Sequence, residues 1–147
     1  MLPHLPFEDG WFDFIYAGSV FTHIDDLADM WLLELRRITK PGSILCLSFI
    51  DESGLRELDA PRWKDFWLKK YLDSSAAYQQ LVQKPFTKLV IGRALQAEVF
   101  YNSQALRRKL GRWFELVALS QHAHEFQSVA VLRKPALPPA KENEAHR

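Results

Sequence analysis

The sequence is poor in the residues that mark several protein classes. It has one cysteine, Cys46, in 147 residues, so no intrachain disulfide can form, which fits a reducing compartment and excludes a disulfide-stapled secreted scaffold. Its six glycines, Gly10, Gly18, Gly42, Gly54, Gly92 and Gly111, stand far apart. The chain therefore contains no GxG, and none of the glycine-rich loops that let backbone approach a nucleotide. No apolar run approaches the roughly 18 residues of a membrane span, and Met1-Leu2-Pro3-His4 lacks the basic start and apolar stretch of a signal peptide. Neither sign of charge dominates. With 19 basic and 18 acidic residues the formal net charge is +1, which gives no electrostatic reason for nucleic acid or an anionic membrane as partner. Together these absences predict a cytoplasmic protein without membrane or nucleic-acid partners.

What is present is enough for one domain with a real core, since 48% of residues are hydrophobic and 13% aromatic. Residues 6 to 49 carry an acidic-aromatic start (Glu8, Asp9, Trp11, Phe12, Asp13), a short apolar strand and a polar bend at Gly18-Ser19. An amphipathic helix, a Lys40-Pro41-Gly42 turn and a second apolar strand follow. Strand, loop, helix, turn and strand in that order make a βαβ unit. Phe12 to Ala17 is apolar after Asp13, as for a parallel strand buried on both faces. The helix is expected to start at Asp25-Asp26, whose carboxylates can cap it, and to end near Arg36, Arg37 and Lys40. Leu27, Trp31, Leu35 and Ile38 form its apolar stripe. Pro41-Gly42 stops it, with glycine free to take positive φ, and Ile44 to Phe49 is the next strand, with Cys46 as a small core residue.

Further on, Trp63, Phe66, Trp67 and Tyr71 recur at spacings of three and four, which predicts a short amphipathic helix over Arg62 to Leu72. Asp73-Ser74-Ser75 offers a break and cap before a second helix through about Val82. Phe86 to Phe100 reads equally as strand or helix. Asn102 or Ser103 can cap a helix that carries Arg107, Arg108 and Lys109 and ends at Gly111. That basic cluster is either a solvated face matched to the helix dipole or a contact for an anion. Phe114 to Ser120 and Gln127 to Arg133 make an antiparallel hairpin. From residue 135 the composition is that of a disordered tail.

These pieces resemble the class I S-adenosylmethionine-dependent methyltransferases, in the group built on a single Rossmann-like domain. The residues concerned are Leu5-Pro6-Phe7, Phe12-Asp13, Ser19-Val20-Phe21 with His23, Glu34-Leu35-Arg36-Arg37, Lys40-Pro41-Gly42 and the closing Gln127 to Lys134. The resemblance covers residues 5 to 134, firmly in the first third and at the end. It implies an α/β fold, a partial Rossmann-like methyltransferase fold comprising strands four to seven of the family. Its sheet would be mostly parallel and end in an antiparallel hairpin, with helices on both faces. Residues 1–134 would be the C-terminal part of the domain, with an aromatic lid-like insertion at about 54–100 and a tail at 135–147.

The same resemblance implies S-adenosylmethionine as cofactor, with Ala17, Gly18, Ser19 and Val20 at its methionine end. The family's glycine-rich loop and its ribose-binding acidic residue have no counterpart in this sequence. Losing two charge-assisted hydrogen bonds of ~1.5–3 kcal/mol each would weaken cofactor binding by roughly two to four orders of magnitude. His23 is the candidate base for an acceptor hydroxyl or amine; alternatively it hydrogen-bonds backbone and shapes the loop. Trp63, Trp67 and Tyr71 fall where the family carries a substrate lid, although an aromatic stripe also serves packing. His122 and His124 lack a third ligand, so no metal site is expected. Ser19 has no GxSxG context, which argues against a hydrolase nucleophile.

Three readings follow. The chain is the C-terminal part of an enzyme that methylates a small-molecule or glycan acceptor and needs a further βαβ segment. Or it is a non-catalytic interaction module or partner-dependent subunit, associating through the exposed sheet edge with a partner chain or a second copy of itself. Or it binds an unrelated ligand beneath the aromatic segment.

Overall fold

A computed structural model describes residues 3–82, 84–92 and 97–136; most of the tail expected from residue 135 lies outside them. The first parallel unit is β1 (Phe12–Ala17), α1 (Ala28–Ile38) and β2 (Thr39–Asp51). Then come α2 (Glu52–Glu57), a 3-10 turn (Pro61–Trp63), α3 (Trp67–Ser74) and α4 (Ala76–Leu81). They are followed by β3 (Lys88–Ile91), β4 (Glu98–Tyr101), α5 (Ser103–Leu110), β5 (Glu115–His124) and β6 (Gln127–Arg133).

β2 is the spine of the six-stranded sheet, ordered β3-β4-β2-β6-β5 with β1 also on β2. Along one edge of β2, β1 pairs as far as Leu47, and β4 takes over at Ile50 and Asp51. The other edge holds β6. The sheet is mixed, which corrects the expected mostly parallel one. β1–β2 and β2–β4 are parallel, whereas β2–β6, β3–β4 and β5–β6 are antiparallel. β1 and β2 are parallel because the α1 crossover joins them, whereas β3–β4 and β5–β6 are joined by short links that reverse direction. The β3–β4 link, with residues 93–96 outside the described ones, falls in the stretch the sequence left between strand and helix.

The period-two alternation of β2 divides the core. Leu45, Leu47 and Phe49 point with Tyr101, Ala130 and Leu132 toward α1 and α5, forming one buried cluster. Ile50 and Phe100 point the other way, into a second cluster with Leu55 of α2 and with Leu68 and Leu72 of α3. Helices thus cover both faces at the β4 end. The same alternation leaves Phe14 and Tyr16, in register with Ile44 and Cys46, 55% and 54% exposed. β1 is therefore packed on one face only, not on both as its apolar run suggests, because no described helix lies over its second face. Cys46 is correspondingly half-buried.

Local chemistry explains the element ends. α1 begins three residues later than Asp25-Asp26 suggest, with Leu27 at φ 66° before it and no side-chain cap. Asp25 instead pairs with Lys88, and Asp29 with Lys109 at 2.7 Å. Ala28, Leu32, Leu35 and Ile38 make the buried stripe, and Leu27 is exposed. Beyond Ile38 the chain turns extended. Gly42 takes φ 83° and donates its N–H to the Lys134 carbonyl at 2.8 Å. The helix expected over Arg62 to Leu72 is broken between Trp63 and Trp67, whereas Ser75 caps α4 and Asn102 caps α5 through side-chain oxygens.

The segment before β1 is fastened to α1 by charge. Arg37 donates to both oxygens of buried Glu34 at 2.8 and 2.7 Å, to Asp9 at 2.8 Å and to the Phe7 and Leu5 carbonyls. The Leu5 N–H returns to Glu34 at 2.6 Å. The guanidinium hydrogen bond holds the Glu34 carboxyl down to about 2, against the opposing effect of burial. Leu47, fully buried between α1 and the hairpin, is the most direct probe of the first cluster. Leu47→Ala is expected to cost about 2–5 kcal/mol in urea unfolding without changing the m-value.

Candidate functional site

β1 ends at Ala17, opposite Leu47, and the chain bends at the carboxyl edge of the parallel strands, where ligands of open α/β sheets sit. Ser19 there adopts left-handed backbone at φ 54°, a conformation costing an L-residue about 1–2 kcal/mol. A ring of hydrogen bonds holds it. The hydroxyl of buried Ser48 accepts the Ser19 N–H at 2.7 Å and donates to Gln127 Oε1 at 2.6 Å, and Gln127 Nε2 donates back to Ser19 Oγ at 2.8 Å. The Ser19 hydroxyl, which accepts from Gln127, also lies 3.3 Å from His124 Nε2. The other ring nitrogen of His124, Nδ1, lies 3.1 Å from the Tyr16 hydroxyl. Tyr16 lies along Gly18 so closely that a Cβ there would stand 2.5 Å from its hydroxyl. A side chain at 18 would have to push the exposed Tyr16 ring aside. Val20 is exposed at the rim.

Past the loop, Phe21 and Thr22 are buried, and the Thr22 carbonyl accepts the Val99 N–H of β4 at 2.8 Å. This contact brings His23 against β4. Its Nδ1 lies 3.0 Å from the Ala97 carbonyl and 3.4 Å from Glu98 Oε1. A carbonyl only accepts, so Nδ1 carries the proton and Nε2 of the neutral ring is the free base. Glu98 is 4% exposed. Burial pushes its carboxyl up to about 7, with His23 pulling it back.

The aromatic residues of the middle segment separate. Trp63 packs against Phe66 and Phe126 and donates its indole N–H to Glu57 at 3.0 Å. Trp67 and Tyr71 are 57% and 41% exposed. His122 contacts the Ser53 carbonyl at 3.3 Å, apart from the partners of His124. Among the described residues no cluster of three or more His, Cys, Asp or Glu could hold a metal. His124 does reach Ser19, but its other nitrogen faces a phenol where a hydrolase histidine has a carboxylate.

Sequence reasoning named Ala17, Gly18, Ser19, Val20 and His23. It missed Tyr16, Ser48, Gln127, the contact of His124 with Ser19, and Glu98. Two of these left a trace: Ser48 interrupts the apolar run ILCLSFI, and Glu98 opens the apolar strand EVFY with no neighbouring base.

Residues 2–47 match a family model described as a methyltransferase domain. No curated protein matches the chain in sequence. Solved structures share the fold. A SAM-dependent methyltransferase from Methanosarcina mazei aligns with TM-score 0.58 and 16% identity, covering 90% of this chain and 64% of its own. The Burkholderia thailandensis 1,6-didemethyltoxoflavin-N1-methyltransferase, solved with 1,6-didemethyltoxoflavin and S-adenosylhomocysteine, gives 0.55 and 11%, covering 86% and 45%. A chain from the complex between the Haloferax volcanii Trm112 methyltransferase activator and its methyltransferase gives 0.55 and 13%, covering 92% and 59%. The chain thus spans about half to two thirds of the length of these structures.

Because the folded-state pKa of Glu98 lies above its ordinary value, the folded protein binds the extra proton, and stability falls as pH rises from about 4.5 through about 7. Glu98→Gln is expected to flatten that slope in melts across pH 4 to 8; an unchanged slope would show that Glu98 is ionised throughout.

Proposed function

We propose that this chain, whose residues 2–47 match a methyltransferase domain model and whose fold is shared with a SAM-dependent methyltransferase, serves methyl transfer from S-adenosylmethionine to a hydroxyl or amine of a small-molecule or glycan acceptor. The ribose and glycine-rich-loop contacts would come from outside these 147 residues. The observation that carries the reading is the pairing of a formed loop with an unfinished sheet. The bend at Ala17, Gly18, Ser19 and Val20 is held by Ser48 and Gln127. Beside it, among the described residues, β1 has a partner on one edge only and exposes Phe14 and Tyr16. A parallel strand with a helix behind it would pair that edge and cover that face.

The loop suits the methionine end of the cofactor. Gly18 offers backbone without a Cβ, and Tyr16 beside it is exposed and able to swing aside. The bound cofactor would supply an electrophilic methyl group. His23, with Nδ1 held by the Ala97 carbonyl, presents Nε2 to take the acceptor's proton. Trp67 and Tyr71 are the exposed members of the lid-like segment at about 54–100 and would contact the acceptor, whereas Trp63 supports them from inside. No metal takes part in this scheme.

A second reading, a partner-dependent subunit or non-catalytic interaction module, rests on the same bare face. The Haloferax volcanii complex with an activator gives it a precedent among proteins of this fold. A second copy of the chain is the other available cover, as a homo-oligomer.

S-adenosylhomocysteine titrated calorimetrically into this chain is expected to bind roughly two to four orders of magnitude more weakly than into the Methanosarcina mazei protein measured beside it. Equal affinity would overturn the claim that essential contacts lie outside the chain. Absence of any binding would leave both the incomplete-enzyme and the interaction-module readings standing.

A further inference from the structure

Away from the loop at residues 17–23, one place combines a cavity, positive charge and a buried donor without a partner. Between α5 and the β3–β4 ribbon lies a groove of about 300 Å3 lined by Thr87, Lys88, Tyr101, Arg108, Lys109 and Arg112. Tyr101 is 3% exposed, and its hydroxyl has no hydrogen-bond partner among the described residues. An unpaired buried hydroxyl keeps its full desolvation cost until something in the groove accepts from it. Burial, reinforced by the carboxylates of Asp25 and Asp29, pushes that phenol up to about 12, so at neutral pH it holds its proton and can donate.

The charges at the rim are unevenly used. Lys88 pairs with Asp25 and Lys109 with Asp29, so these four groups cancel. Arg108 and Arg112 lie along the same wall, exposed and without an ion-pair partner among the described residues; Arg112 adds only a longer-range attraction to Asp29. Two arginines without an ion-pair partner among the described residues and a tyrosine with an unpaired, recessed hydroxyl therefore line one cavity.

We propose that the groove of Tyr101, Arg108 and Arg112 is a binding site for the phosphate group of a small phosphorylated molecule. Two guanidinium forks, a phenol and the Thr87 hydroxyl offer more donors than the two oxygens of a carboxylate accept, whereas a phosphate dianion presents three terminal oxygens. The volume exceeds that of a bare phosphate, which leaves room for the esterified remainder. A nucleic acid or a lipid surface is a poorer fit, because the deepest donor lies at the floor of a groove and the cationic excess is confined to two side chains. The site makes no use of the loop at residues 17–23, so it stands or falls independently of the methyl-transfer reading.

Inorganic phosphate and pyrophosphate titrated at constant ionic strength are expected to raise the melting temperature saturably, with half-effect in the millimolar range or below. The surface double variant Arg108→Ala/Arg112→Ala, which leaves the core intact, should weaken that binding about tenfold or more, in keeping with lost charge-assisted hydrogen bonds. Tyr101→Phe should weaken it severalfold while leaving the melting temperature without phosphate equal or higher, since the unpaired hydroxyl is gone. A linear, non-saturating response that is the same in wild type and double variant overturns the proposal. So does binding to anionic vesicles or single-stranded DNA in the absence of any saturable response to phosphate or pyrophosphate.

Discussion

The bend after β1 depends on the hydroxyl of Ser48. It sits in β2 just past the last residue paired with β1 and just before the first paired with β4. There one strand must hand an edge from one neighbour to another, and a backbone ladder alone leaves the bend after β1 unsupported. Ser48 accepts from the Ser19 amide and donates to Gln127, so a single hydroxyl ties β1, β2 and β6 together. It holds the left-handed backbone at Ser19 and, through Gln127, the Ser19 hydroxyl. Val in its place would leave the Ser19 amide and the Gln127 carbonyl oxygen unpaired in a buried setting.

Short-range chemistry was the legible part of the sequence. Asn102 and Ser75 cap the helices expected to follow them, Gly42 takes the positive φ its turn requires, and Gln127 to Arg133 forms its hairpin with the strand before it. Each of these is decided within a few residues. Two errors share a different cause. Phe14 and Tyr16 belong to an apolar strand, and whether both its faces are covered depends on elements far from it. Asp25 looks like a helix cap, but a lysine 63 residues away competes for its carboxylate. The mostly parallel sheet failed for a local reason, since β3 and β4 form an antiparallel ribbon on a stretch whose periodicity was ambiguous.

The site shows the same division. Loop residues 17 to 20 and His23 could be named because they fall within one short stretch that carries a family resemblance. Their supports were not, because Ser48, Glu98, His124 and Gln127 lie 29 to 108 residues from the groups they touch or position. The segment matched by the methyltransferase family model is nonetheless held as one mechanical piece. Arg37 and Glu34 bind residues 5 to 9 to α1, and α1 is packed on β2, so the approach to β1 and the loop after it share one support.

The tip of the β5–β6 hairpin carries a further constraint. His122 and Glu125 both take positive φ, and the pairing is irregular between Ser120 and His124. These kinks carry His124 over to the end of β1. Hairpin tips are ordinarily where a chain accepts insertions and deletions most readily. Here a change of one residue would rotate His124 to the opposite side of the ribbon and take its ring away from Ser19 and Tyr16. The 121–126 tip is therefore part of the frame that holds the end of β1, and its length is fixed by the placement of His124.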